Sequence, residues 1–215
     1  MTEEELAASV VEWLRLEEWD VYQEVATGYA NPRADIVAVR NPVIWVIEVK
    51  TTLGLGVIAQ AWNWTAFAHF VSVAVPASPR NSKTRAFASI VCHDYGIGVL
   101  SLDGPRIVGK SKPRLNRKAL THHIRPYLME EQRSYAPAGN ADAQYWTPFR
   151  STCDQLRKLV RDGPITIRDA MDKINHHYAS DATARASILK WANLGKVQGV
   201  AVDDSTKPYR LISIE

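Results

Sequence analysis

Two carboxylates and an ammonium stand together in an otherwise apolar stretch, residues 33–50, RADIVAVRNPVIWVIEVK. Asp35 opens a β-branched run over 35–39, and Glu48 and Lys50 close a second run over 43–49. Asn41-Pro42 between them is a breaker, so the stretch reads as a hairpin. Side chains alternate along a strand, which puts Glu48 and Lys50 on one face and Val49 on the other. Pairing across the turn brings Asp35 to the same end. Two converging carboxylates repel unless a cation stands between them. Oxygen donors of this kind suit a hard divalent ion, Mg²⁺ (or Mn²⁺), which keeps waters and shares itself with a phosphate. Such an ion polarises a phosphodiester and lowers the pKa of bound water. Lys50 adds a point charge for the scissile phosphate or the attacking water. The competing reading is a buried ion pair that closes the hairpin, a task that apolar residues usually serve as well.

The elements that position these groups follow from periodicity. Residues 2–18 predict a helix, with Thr2 and Glu5 as a capping box and Leu6, Val10, Trp13 and Leu14 as its apolar stripe. A strand over 21–25 and a loop over 28–33 lead into the hairpin, with Arg33 read as solvated. A helix over 57–67 carries Gln60 and, one turn later, Trp64; its aromatics Trp62, Trp64 and Phe67 are read as packing. A strand over 69–75, a loop with Arg80, a helix over 83–95 and a strand over 98–102 complete an α/β layered domain.

Asp35 followed by Glu48-Val49-Lys50 resembles the core of the PD-(D/E)XK nuclease superfamily, in its Holliday-junction-resolvase-like and RecB-like branches. The resemblance covers roughly the first hundred residues, an ordinary domain length. It implies a restriction-endonuclease-like α-β-β-β-α-β core and Mg²⁺-dependent hydrolysis of DNA. It implies Asp35 and Glu48 as metal ligands and Lys50 as a catalytic residue. A Glu of the first helix would complete the metal site, with Glu3, Glu4, Glu5 and Glu12 as candidates and Glu5 preferred. Gln60 would help orient the Lys and the DNA backbone; Trp64 stands where a Tyr is usual, and Ala34 where a Pro is usual. Catalytically lost members lack one of the three charged residues, and none is lacking here. The alternative is a nuclease fold that binds DNA or a protein without cutting.

Charge is unevenly spread over the 215 residues. The net charge of +3 says little, but the first 24 residues are acidic, whereas residues 104–125 carry Arg106, Lys110, Lys112, Arg114, Arg117, Lys118 and Arg125. Gly109 and Pro113 predict irregular structure there, and the cations are candidates for phosphate contact beside the nuclease site. His122-His123 are read as helix residues. The first domain is placed at 1–131, a linker at 132–145 and a second domain at 146–215. Thr147-Pro148 caps a helix over 149–161; further helices over 166–175 and 180–194 precede a hairpin over 197–202 and 209–214. This order resembles a winged helix-turn-helix, an α+β domain whose third helix enters the major groove. Arg185 and Lys190 on that helix, with Lys196 near the wing, are the expected DNA contacts. Cleaving both strands of branched DNA would call for a homodimer. Two distant cysteines, no secretory signal and no long apolar run predict a cytoplasmic protein away from membranes.

Overall fold

The structure, a computed structural model, describes residues 1–27, 33–78, 82–133, 147–176, 178, 180–205 and 207–214, apart from the Lys110 side chain. The chain forms two compact units, Met1–Trp146 and Thr147–Glu215.

In the first unit α1 (Glu3–Leu16) is followed by β1 (Asp20–Val25), β2 (Ala34–Arg40), β3 (Val43–Val49), α2 (Leu55–Trp64) and β4 (Phe70–Pro76). Then come α3 (Lys83–Asp94), β5 (Gly98–Asp103) and β6 (Arg106–Ser111). Among the described residues the strands form one six-stranded mixed sheet in chain order, β1 through β6. The β1–β2, β2–β3 and β5–β6 pairs are antiparallel, and β3–β4 and β4–β5 are parallel. Each parallel step requires a crossover, and α2 and α3 supply them. Both cover one face of the sheet, packing Val57, Ile58, Ala61, Trp64, Ala88 and Cys92 on strand residues such as Val37, Val46 and Val73. α1 covers the other face through Leu6, Val10 and Leu14 against Ile36, Ile47, Val49 and Leu100. The sheet is thus buried on both sides, which explains the near-continuous apolar runs of β3 and β4.

Where sequence and structure differ, the causes are local. Residues 104–125 do not stay irregular. Gly104, at φ +54°, turns the chain between β5 and β6, and Gly109 is accommodated opposite Ser101 next to a shift in register. His122 and His123 lie in a single 3-10 turn, Thr121–His123. The linker predicted over 132–145 begins too early. Gln132 is buried, and Arg133 bonds Asp20 through its guanidinium and receives Arg15 Nη2 on its carbonyl, so both belong to the first unit. The rest of that linker, and Arg80, lie outside the described residues.

The second unit contains α4 (Pro148–Arg161), β7 (Ile165–Thr166), α5 (Ile167–Lys173), α6 (Asp181–Asn193), β8 (Val200–Asp203) and β9 (Arg210–Ser213). Thr147, Thr166 and Ser180 cap the three helices through their hydroxyls. Gly195 ends α6 at φ +66°. The strands pair in the order β7-β9-β8, and Leu156, Met171, Ile188 and Leu211 lie in a core of its own. Among the described residues no helix is long and apolar enough to cross a membrane.

Candidate active site

Asp35 stands near the start of β2 and Glu48 near the end of β3, and the antiparallel pairing of these strands brings them together. The Asp35 carboxylate accepts a hydrogen bond from the Val49 N–H at 2.8 Å. Glu48 is 2% exposed and accepts from the Trp64 indole N–H at 2.7 Å. The register places the two carboxyls opposite one another, where each acts on the other's ionisation. Burial, and then the charge of Asp35, push the Glu48 carboxyl well above its ordinary range, although the Trp64 contact opposes the shift. Burial also raises Asp35, while the Val49 N–H, the Glu48 contact and the charges of Lys50 and Arg33 pull it back. Both carboxyls are thus held above their ordinary range, Glu48 the more deeply buried of the two.

Lys50 lies just past the end of β3, and its Nζ donates to Glu3 Oε2 at 2.8 Å. Strand alternation puts Lys50 on the Glu48 face, but it ceases to apply beyond Val49, and the amine instead meets the helix on the other face. Burial pulls the Lys50 ammonium down, and the Glu3 contact with the charges of Asp35 and Glu48 outweighs that and raises it. Lys50 is thus a fixed positive charge at neutral pH, suited to stabilising a phosphate rather than to accepting a proton.

The helix carboxylate at this site is Glu3, not Glu5. The docking of α1 explains why. Trp13 packs edge-on against Trp45 at 5.9 Å, at the start of β3. From Trp13 back to Glu3 the helix spans about 15 Å at its usual rise, and from Trp45 to Lys50 the strand spans about 17 Å. The helix N-terminus therefore arrives level with Lys50. Glu5 is occupied at the helix end, where its carboxylate accepts from the Thr2 N–H at 2.8 Å and the Thr2 hydroxyl accepts from the Glu5 N–H at 3.1 Å.

Trp64, read from sequence as packing alone, is both core and hydrogen-bond donor to Glu48. Trp62 is the aromatic that does not pack, being 53% exposed. Gln60 lies one turn before Trp64 on the same face, and its buried Oε1 has no hydrogen-bond partner among the described residues. Arg33 is not simply solvated: it forms an ion pair with Glu24, which is buried at φ +56°. The strand ladder pairs Gln23 with Ile36 and Val25 with Ala34, passing over the Glu24–Asp35 position. Glu24 was the residue sequence reading missed; Glu3 stood among the first-helix candidates without being preferred, and Trp64 was read as packing only. The signal for Glu24 was a charged residue inside an apolar strand.

Four carboxylates (Glu3, Glu24, Asp35, Glu48) against two cations (Arg33, Lys50) leave this network at 2 − 4 = −2 when all are ionised. That deficit and the orphan Gln60 acceptor fit a hydrated divalent cation, whose waters are donors. Among the described residues no three His, Cys, Asp or Glu side chains gather as a ready ligand set. The donors present are the Asp35–Glu48 pair, which matches an ion that keeps most of its waters.

The expected DNA contacts are spread over the fold. Arg106 opens β6 and is exposed, as is Lys112 after it. Lys110 pairs by backbone with Leu100. Arg114 is held at Gly96, before the amino end of β5. Because β3 and β5 run the same way, Arg114 is at the sheet end opposite Lys50. Arg125 is structural, its guanidinium bonding Asn41 Oδ1 and the Pro42 carbonyl at the β2–β3 turn. In the second unit Lys190 and Lys196 are exposed and Arg185 is half-buried; Lys190 lies 5.2 Å from the centre of the Trp191 ring. Comparison with family models, curated proteins and solved structures finds no match to this chain.

Proposed function

We propose that the first unit is a metal-dependent DNA endonuclease of the PD-(D/E)XK type. The observation that carries this reading is the Asp35–Glu48 pair, two carboxyls facing one another at a strand end with one of them almost fully buried. Apolar residues would serve the fold better at such a place, and the pair gains a use once a cation is shared between them. Helix, three strands, helix and strand follow one another in the order α1-β1-β2-β3-α2-β4, which agrees with that core. Asp35 and Glu48 would hold Mg²⁺ or Mn²⁺, and the bound ion would supply an acidified water and polarise the phosphodiester. Lys50, kept charged by Glu3, stabilises the anionic phosphate in the transition state. Gln60 positions a water or a DNA oxygen, and Trp64 fixes the Glu48 carboxylate. Three capped helices and a β7-β9-β8 sheet support a winged-helix reading of the second unit, with Lys190 and Lys196 toward DNA.

The test is cleavage of labelled single strands, duplexes, flaps and four-way junctions with Mg²⁺, Mn²⁺ or EDTA. Metal-dependent cutting is expected, and Glu48→Gln should abolish it, by at least a hundredfold, while leaving DNA binding in place. Binding without cutting on every substrate would replace the enzyme by a binding module built on the same fold.

A further inference from the structure

Residues 112–120 form a strap across the amino ends of β4 and β5. The Arg114 N–H donates to the Gly96 carbonyl at 2.9 Å, the Asn116 N–H to the His69 carbonyl at 2.8 Å, and the Leu120 N–H to the Ala66 carbonyl at 2.9 Å. The Asn116 side-chain amide adds a bond to the Thr65 carbonyl at 2.8 Å. Two glycines make room for it. A Cβ on Gly96 would lie 2.8 Å from the Arg114 Cβ, and one on Gly98 would lie 2.8 Å from Pro113 Cδ. The strap's backbone is therefore a built element that carries its cations at set positions along the sheet end.

No Asp or Glu occurs between residues 104 and 129. Lys112, Arg117 and Lys118 are exposed, and among the described residues none of them makes an ion pair. The Arg114 guanidinium donates to the backbone carbonyl of Asp94, at 3.4 Å, and among the described residues makes no ion pair. Beneath the strap is a cavity of about 230 Å³ lined by His69, Tyr95, Arg114, Leu115 and Asn116 among others. Tyr95 is 58% exposed. Exposed cations without ion pairs along the strap, with Arg114 and an exposed tyrosine at the cavity, make the combination that holds a nucleic-acid strand, the cations on phosphates and the ring on a base. Duplex DNA is read by a helix or ribbon entering a groove, and the strap offers neither.

We propose that this strap and cavity form a single-stranded DNA subsite at the sheet end opposite the carboxylate pair. The proposal rests on the reading of DNA as the ligand but not on cleavage. It is tested with the full chain in EDTA, by fluorescence anisotropy of a short labelled single strand over a series of salt concentrations. Replacing Lys112, Arg117 and Lys118 together by Ser should weaken binding at least tenfold. It should also flatten the slope of log K against log salt by about 2, three contacts at about 0.7 each. Tyr95→Ala should weaken single-strand binding by roughly tenfold with little effect on the salt slope. Tyr95 is exposed, so this second variant keeps the test valid if the triple variant melts early. Unchanged affinity and slope, tighter binding of a same-length duplex, or no binding by the wild type would each overturn the proposal. Since no metal is present, failure of the cleavage chemistry leaves the measurement untouched. If metal-dependent cutting is found and strap variants bind like wild type, only the subsite falls.

Discussion

Glu48 is a residue whose charge works against the fold. Its carboxyl is raised by burial and by Asp35, so between the ordinary carboxylate range and its folded value the native chain keeps a proton that the unfolded chain has released. Stability must then fall as pH rises through that window. Glu48→Gln keeps an acceptor for Trp64 and can offer an N–H to Asp35. In metal-free protein at neutral pH it should stabilise by about 1 kcal/mol, or about 2–4 °C in Tm, and flatten the decline from acid to neutral pH. Thermal melts in EDTA across that range would measure both. The meeting of Asp35 and Glu48 at one end of the hairpin was legible because each interrupts an apolar pattern. Trp64 was not, because an aromatic on a buried stripe gives no sign of where its N–H points.

At the scale of elements, α1 does two separate things with two neighbouring carboxylates. Glu5 closes the capping box, and Glu5→Ala should cost about 0.5–1 kcal/mol while leaving Lys50 as it is. Glu3→Gln should leave stability nearly unchanged and let the Lys50 ammonium titrate at lower pH, since Glu3 is the group that holds it up. A lysine side-chain NMR titration of both variants separates the roles. Helix, cap and hairpin were all readable in the sequence, with β3 matching residue for residue. The choice between Glu3 and Glu5 was not, because it depends on how far α1 slides along β3, and Trp13 on Trp45 decides that. β6 escaped notice because Gly109 and Pro113 look like breakers, whereas a strand needs only one willing neighbour, and β5 provides it.

For the whole molecule, the division into two units was legible from composition, though the first reaches past residue 131 because Gln132 and Arg133 are anchored in it. A ligand that binds only one folded unit stabilises only that unit. Mg²⁺ at a hundred times its dissociation constant should add about 2.7 kcal/mol to the first unit and nothing to the second. Calorimetry should show one transition moving up with Mg²⁺ while the other stays, and no movement in Glu48→Gln. The sheet, finally, is laid down in the order of the chain, β1 to β6. A polypeptide leaving the ribosome therefore offers each strand an already synthesised neighbour, and no strand has to be held open for a later insertion. By the time Trp64 emerges, Glu3, Asp35, Glu48 and Lys50 have all preceded it. The carboxylate corner can thus be assembled while more than half of the protein is still being made.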